Sequence, residues 1–376
     1  MIRFDNVSKS FKDCKVLRNI NFEINEGELC VLIGPSGCGK TTSLKMINKL
    51  IKPTSGTIYI DGKDISKEDT IELRRNIGYV IQQTGLFPHM TVGENIAIVP
   101  KMKKWEEAKI RERTLELLKM VGMDGEEYLD RYPTELSGGQ QQRIGVARAM
   151  AVNPDIILMD EPFSALDPIT RSQLQDELYG LQQEMKKTII FVTHDMDEAL
   201  KLGDRICIMK DGDIVQYDTP ENILKNPHEG FVEEFIGKNR IWDRPEFITA
   251  ADIMIKDPVK AAGTRTIVQA LEIMKSSKVD SLLITDREGK LQGLVTLKDI
   301  QKKHKESVRM MDILETTVIS VKEDDSIIDI LRTMNDHQVG YVPVTDNLGV
   351  LKGLITRSSL LTILSGQYLS DEEDNR

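Results

Sequence analysis

Lys40 and Thr41 close the segment Gly34-Pro35-Ser36-Gly37-Cys38-Gly39-Lys40-Thr41, and Asp160-Glu161 end the apolar run Ile156-Ile157-Leu158-Met159. Residues of these types at these spacings suit phosphate chemistry. Glycines let backbone N–H groups turn inward around an oxyanion, and the start of a following helix adds partial positive charge. Lys40 would reach the β and γ phosphates of a nucleotide, Thr41 would ligate Mg²⁺, and Ser36, Thr42 and the backbone at Cys38 complete the cradle. Asp160, at the C-terminal end of a strand, suits Mg²⁺ coordination through water, while Glu161 would polarise an attacking water as general base. Such chemistry requires a buried strand before the glycine loop and a helix after it. Glu28–Ile33 reads as that strand, with the helix beginning near Lys40. Asp155–Asp160 and Thr188–Thr193 are further unbroken apolar strands, the second followed by His194.

Composition narrows the setting. A chain of 376 residues with 40% hydrophobic content has room for two or three domains. A net charge of −10 leaves no basic footprint for nucleic acid as the main partner. Cys14, Cys30, Cys38 and Cys207 form neither a CxxC pair nor a metal-ligand spacing, which fits a reducing compartment. Within the phosphate loop Cys38 reads as a small space-filling residue; a redox role would require a depressed thiol pKa. No apolar run approaches the ~20 residues that span a bilayer, and the start lacks a signal-peptide core. A role at a membrane would therefore go through partner subunits.

Leu136-Ser137-Gly138-Gly139-Gln140, placed between the glycine loop and Asp160-Glu161, resembles the signature of the ATP-binding cassette (ABC) family over roughly residues 1 to 236. The resemblance implies further roles. His194 takes the place of the switch-loop histidine that contacts the γ-phosphate and the catalytic glutamate. Gln82 matches the Q-loop glutamine that helps position Mg²⁺ and water, with Gln83 as the competing assignment. Phe11 falls where cassettes stack an aromatic on adenine. Ser164-Ala165-Leu166-Asp167 matches the D-loop. In this family the glycine loop of one cassette and the signature of another sandwich each ATP, so Ser137, Gly138, Gly139, Gln140 and Asp167 would serve a partner copy head to tail. The segment from Leu86 through Phe87, Pro88 and His89, and a charged helical stretch from Lys101 to Met120, resemble the helical subdomain of importer cassettes, where a groove receives a short helix of the membrane subunit. Soluble relatives that act on ribosomes carry two cassettes in one chain, and chromosome-associated ones split the cassette with a long coiled coil; neither pattern occurs here.

The second half repeats itself. Leu282–Ile300 and Val342–Leu360 align at an offset of 60, pairing Thr285-Asp286 with Thr345-Asp346 and Gly293-Leu294-Val295-Thr296 with Gly353-Leu354-Ile355-Thr356. Leu271, Met274 and Val279 match Leu331, Met334 and Val339 at the same offset. Each copy reads as helix, strand, glycine turn, strand and helix, and resembles a cystathionine-β-synthase (CBS) domain. The first copy keeps Thr296 and Asp299, the pair that in nucleotide-binding CBS domains holds ribose hydroxyls. The second has Ser359 in the acidic position, with Thr356, Arg357 as a phosphate contact and Tyr341 as an aromatic face. With Val279, these residues form the expected regulatory site. Cyclic di-AMP, direct sensing of ionic strength through Lys302-Lys303-His304-Lys305 and the tail Asp371-Glu372-Glu373-Asp374, and a packing module without ligand are the three readings.

The expected architecture is an α/β cassette of the P-loop NTPase type with a helical subdomain, over 1–236, then a linker over 237–248 and a tandem α+β CBS pair over 249–306 and 307–365, ending in an acidic tail over 366–376. This arrangement resembles the ATPase subunit of bacterial uptake systems for glycine betaine, carnitine and choline, which implies ATP and Mg²⁺, a homodimer, permease subunits, a solute-binding protein and a peripheral place on the cytoplasmic face of the membrane. Aromatic residues are 5% of the chain, too few to suggest that a quaternary ammonium cage resides here. An importer for amino acids or metal complexes using the same motor is the alternative.

Overall fold

The computed structural model describes residues 1–12, 14–82, 85–164, 166–228, 230–237, 245–303 and 309–361. The chain divides into two compact units, Met1–Gly237 and Lys238–Arg376. Gln83, Ala165, most of the expected linker, the His304-Lys305 segment and the acidic tail lie outside the described residues.

Among the described residues of the first unit, the strands are β1 (Ile2–Phe11), β2 (Cys14–Ile24), β3 (Leu29–Ile33), β4 (Ser55–Ile60), β5 (Lys63–Asp64), β6 (Ile77–Val80), β7 (Ile156–Asp160), β8 (Thr188–Val192), β9 (Arg205–Lys210) and β10 (Asp213–Asp218). They form an antiparallel sheet in the order β2-β1-β4-β5 and a larger one in the order β10-β9-β3-β8-β7-β6. In the larger sheet every pairing from β9 to β6 is parallel. β3, β7 and β8 are buried at every residue, the continuous apolar pattern that a doubly covered parallel sheet requires. One core joins both sheets to the helix Lys40–Ile47 through Phe4, Phe22, Leu32, Leu44, Leu158 and Val192. Because β3, β6, β7 and β8 run in parallel, their C-terminal ends deliver the glycine loop, Gln82, Glu161 and His194 to one edge of the sheet.

The helical stretch expected from Lys101 to Met120 is two helices. Val92–Met102 starts at a capping box between Thr91 and Glu94, and Glu107–Met120 follows. Lys104 has φ 57°, outside helical geometry, and the chain turns there.

The second unit contains β11 (Lys260–Ala262), β12 (Ser281–Thr285), β13 (Leu291–Thr296), β14 (Tyr341–Thr345) and β15 (Leu351–Thr356). Each copy has the helix and hairpin its sequence predicts, with helices Ile267–Ser277 and Ile327–Asp336 ahead of the two hairpins. Each glycine turn is closed by an aspartate: Asp286 accepts from the Glu288 and Lys290 N–H groups at 2.9 Å, and Asp346 from those of Leu348 and Val350 at 2.9 Å. The turns pair reciprocally, Leu291 N–H donating to Gly349 O and Leu351 N–H to Gly289 O, both at 3.0 Å.

The structure adds an exchange. Ile255 bridges Leu354, and Glu315, 60 residues later, bridges Leu294. Gly353 faces Met254 and Gly293 faces Leu314, each so closely that a Cβ would collide. Ile248, just before the first copy, and Ala250 and Ile253, at its start, are thus buried in the core of the second with Ile330, Val342, Val344 and Ile355. Met310 and Ile313, at the start of the second, complete the core of the first.

Candidate nucleotide site

The glycine loop follows β3, and its shape is set by what lies behind it. Gly34 has φ 149°, and a Cβ there would sit 2.0 Å from Met209 O of β9; at Gly39, φ 108°, it would sit 2.4 Å from Leu17 of β2. Neither position accepts a side chain. Lys40, 6% exposed, donates its ammonium to Gly34 O at 2.7 Å and Pro35 O at 3.0 Å, so the loop wraps its own cation. Cys38 is buried behind the loop, 3.8 Å from the Lys40 ammonium, and burial pushes its thiol pKa up, the opposite of a reactive thiol.

Thr41 donates its hydroxyl to Asp160 Oδ1 at 2.7 Å. Asp160 is 6% exposed, and burial raises its pKa despite that bond and the nearby lysines Lys45 and Lys40. A hydroxyl and a poorly solvated carboxylate, both hard oxygen donors, fit Mg²⁺. Among the described residues no group of three or more His, Cys, Asp or Glu is arranged to hold a metal, so phosphate and water oxygens would fill the remaining positions.

Glu161 follows β7 with φ 46°, a left-handed conformation that non-glycine residues adopt sparingly and that recurs at functional sites. Its N–H donates to Val192 O of β8 at 3.0 Å. Its Oε2 accepts from Gln82 Nε2 at 3.1 Å and lies 3.3 Å from His194 Nδ1. Three residues from the ends of three strands meet at one carboxylate oxygen.

A cleft of about 580 Å³ holds these groups, lined by Val16, Ser36, Gly37, Gly39, Lys40, Thr41, Thr42, Gln82, Glu161 and His194. Val16 carried no sequence signal; it reaches the cleft because β2 packs behind Gly39. Phe11 is outside the lining, 45% exposed at the end of β1 with the Lys9 ammonium over its ring. The signature residues are outside it too. Ser137 caps the helix Gly138–Ala149 in a reciprocal box with Gln140, and Gly139 is pressed against Thr170. Asp167 caps the helix Pro168–Met185, where the Thr170 backbone N–H lowers its carboxyl pKa.

These features describe a site for nucleotide phosphates and Mg²⁺. The family model described as ABC transporter matches residues 17–164, and the CBS domain model matches 250–306 and 310–366. The glycine betaine/carnitine/choline transport ATP-binding protein OpuCA of Bacillus subtilis (strain 168) is 51% identical over 376 residues, covering 100% of this chain and 99% of the relative. This chain belongs to the ABC transporter ATP-binding proteins. Such a protein is an ATP-hydrolysing transport ATPase. The choline transport ATP-binding protein OpuBA of the same organism is 50% identical, covering 99% of this chain and 98% of its own length. A solved dimeric post-hydrolysis state of the ATP-binding cassette MJ0796 bound to ADP and Pi is 40% identical with TM-score 0.54, covering 58% of this chain and 99% of that one. Among the described residues of this ABC protein, no helix is long and apolar enough to cross a membrane.

In the second unit the expected regulatory residues come from both repeats. Asp299 Oδ2 accepts from Thr296 N–H at 3.0 Å; in the second copy Ser359 Oγ accepts from Thr356 N–H at 2.9 Å, so serine replaces aspartate without loss of the turn. Half-buried Tyr341 has its phenol pKa raised by burial, then by Glu315, Asp299 and Asp280. Arg357 is exposed after β15, and Val279 packs against the first core.

Proposed function

We propose that this chain is the ATP-hydrolysing subunit of an importer for quaternary ammonium compatible solutes such as glycine betaine, carnitine and choline. The observation that carries the reading is identity of about half over the full length, cassette and paired repeats together, with relatives named for transport of these solutes. Lys40 and the loop N–H groups hold the β and γ phosphates. Thr41 and Asp160 would hold Mg²⁺, which would neutralise phosphate charge. Glu161 takes the proton of the attacking water, while Gln82 and His194 orient that carboxylate and His194 reaches toward the γ-phosphate. Ser137, Gly138, Gly139 and Gln140 lie away from the chain's own cleft, which supports a head-to-tail homodimer in which they close the partner's site.

A groove of about 260 Å³ lined by Ile77, Tyr79, Ile81, Phe87, Val99 and Arg148 suits a short helix of a permease subunit on the cytoplasmic face of the membrane. A solute-binding protein would act through that permease. The paired repeats regulate the cycle, by cyclic di-AMP contacting Thr296, Asp299, Tyr341, Thr356 and Arg357 or by ionic strength. Uptake of labelled glycine betaine, carnitine and choline in salt-stressed cells lacking other osmolyte systems tests the reading. Cells with this chain should accumulate one or more of the three and cells with Glu161→Gln none. Equal uptake in both would send the substrate to another class, amino acids or metal complexes.

A further inference from the structure

His194 has little support of its own. Its side chain is 66% exposed and meets Glu161 alone among the described residues. The position of the imidazole is therefore set by the backbone on either side, and both flanks are tied down by residues that the mechanism does not use. On one side Thr193, buried, donates its hydroxyl to Glu198 Oε2 at 2.6 Å and accepts from the Asp195 N–H at 3.0 Å. Glu198 is 6% exposed, and its other oxygen accepts from Gln175 Nε2 at 3.2 Å. On the other side Asp195 caps the helix Met196–Leu202, accepting from the N–H groups of Asp197 at 2.8 Å and Glu198 at 3.3 Å. Its second oxygen lies 3.8 Å from the guanidinium of Arg171. The same guanidinium donates to Leu166 O at 3.1 Å, beside Asp167.

We propose that Glu198 and Arg171 are positioning residues for His194: they anchor Thr193 and Asp195 and so hold the imidazole against Glu161, with Arg171 tying that setting to the Leu166-Asp167 segment. A buried carboxyl is a poor choice for stability alone, because a well-packed apolar residue of similar volume is often neutral or better there. Its two hydrogen bonds instead fix the turn between β8 and the following helix. The inference rests on the role given to His194 above and deepens it.

The test is a set of double-mutant cycles in the full chain, reading steady-state ATP hydrolysis, nucleotide affinity and Tm. Arg171→Ala and Glu198→Ala should each lower kcat by about 10- to 100-fold, the range that a misplaced catalytic group produces, with ATP affinity unchanged. Glu198→Gln should keep most of the rate, because Gln175 can turn its amide and offer its carbonyl to the new NH₂ group. In a His194→Ala background neither substitution should cost more, since the group they position is gone. Impairment by His194→Ala with a further multiplied loss from Arg171→Ala would overturn the positioning role alone, as would single variants with unchanged kcat. Full activity of His194→Ala would overturn the assignment of His194 and this inference with it. Should Glu198→Ala fail to fold, the Arg171 cycle decides the matter, because that side chain is 31% exposed and its truncation opens toward solvent.

Discussion

Ile253 stands at the start of the first copy in sequence, yet it is 3% exposed and lies in the core of the second with Ile330, Val342, Val344 and Ile355. Ile253→Ala should therefore loosen structure that begins some seventy residues downstream. Truncating a buried isoleucine costs about 2–5 kcal/mol, a large share of the roughly 5–15 kcal/mol that holds a domain folded. At about 1.4 kcal/mol per decade this is an acceleration of opening by about 30-fold to several thousand-fold. Amide hydrogen exchange in the full chain reads it directly. The slow amides of β14 and β15 should accelerate more than those of β12 and β13. Ile313→Ala, which empties the equivalent place in the first core, should reverse the order. Acceleration confined to β12 and β13 in Ile253→Ala, or none, would refute the exchanged packing.

Two further outcomes concern the nucleotide site. Burial raises the Asp160 pKa above the ordinary value of 3.8, so between 3.8 and that raised value the folded chain holds a proton that the unfolded chain has released; the stability linked to it is fully present below 3.8 and is lost as pH rises through the folded pKa. Asp160→Asn should accordingly give the nucleotide-free chain a higher Tm by calorimetry, by a margin that widens from pH 3.8 upward, while ATP hydrolysis falls. Glu161→Gln removes the carboxylate that Gln82 and His194 contact and that we propose as the proton acceptor. It should lower kcat by about 10²- to 10⁴-fold, about 2.7–5.4 kcal/mol of barrier, and leave ATP binding intact by equilibrium titration.

The edge that gathers the glycine loop, Glu161 and His194 was legible in the sequence because its signals are local. A buried parallel strand must be apolar throughout, and the residue after it must lie at the ligand-bearing edge, so β3, β7 and β8 place the glycine loop, Glu161 and His194 at that edge, while the expected role of His194 came from the family resemblance. The repeat was legible because its offset stays at 60 across turns and strands alike. Contacts made at a distance were not. Glu198 stands in an acidic stretch with Asp195 and Asp197 that reads as a solvated helix start, and its burial depends on Gln175 of a separate helix. Ile248 and Ile253 form too short a run to show which core they enter. The turn at Lys104 interrupts a charged stretch that has helical propensity on both sides, and no glycine or proline marks it.

The exchanged segments also set a timetable during synthesis. The last residues of the first core, Ile300, Met310 and Ile313, leave the ribosome shortly after β13. The second must wait for β15 to emerge, about 100 residues after Ile253, which at about 5–20 residues per second is about 5–20 s. Throughout that interval Ile248 and Ile253 are an uncovered apolar strip on a nascent chain whose amino-terminal unit is already complete. The sequence between them and their destination thus acts as a delay line, and the period in which it is still being translated is when this protein is most open to capture by chaperones or by another chain.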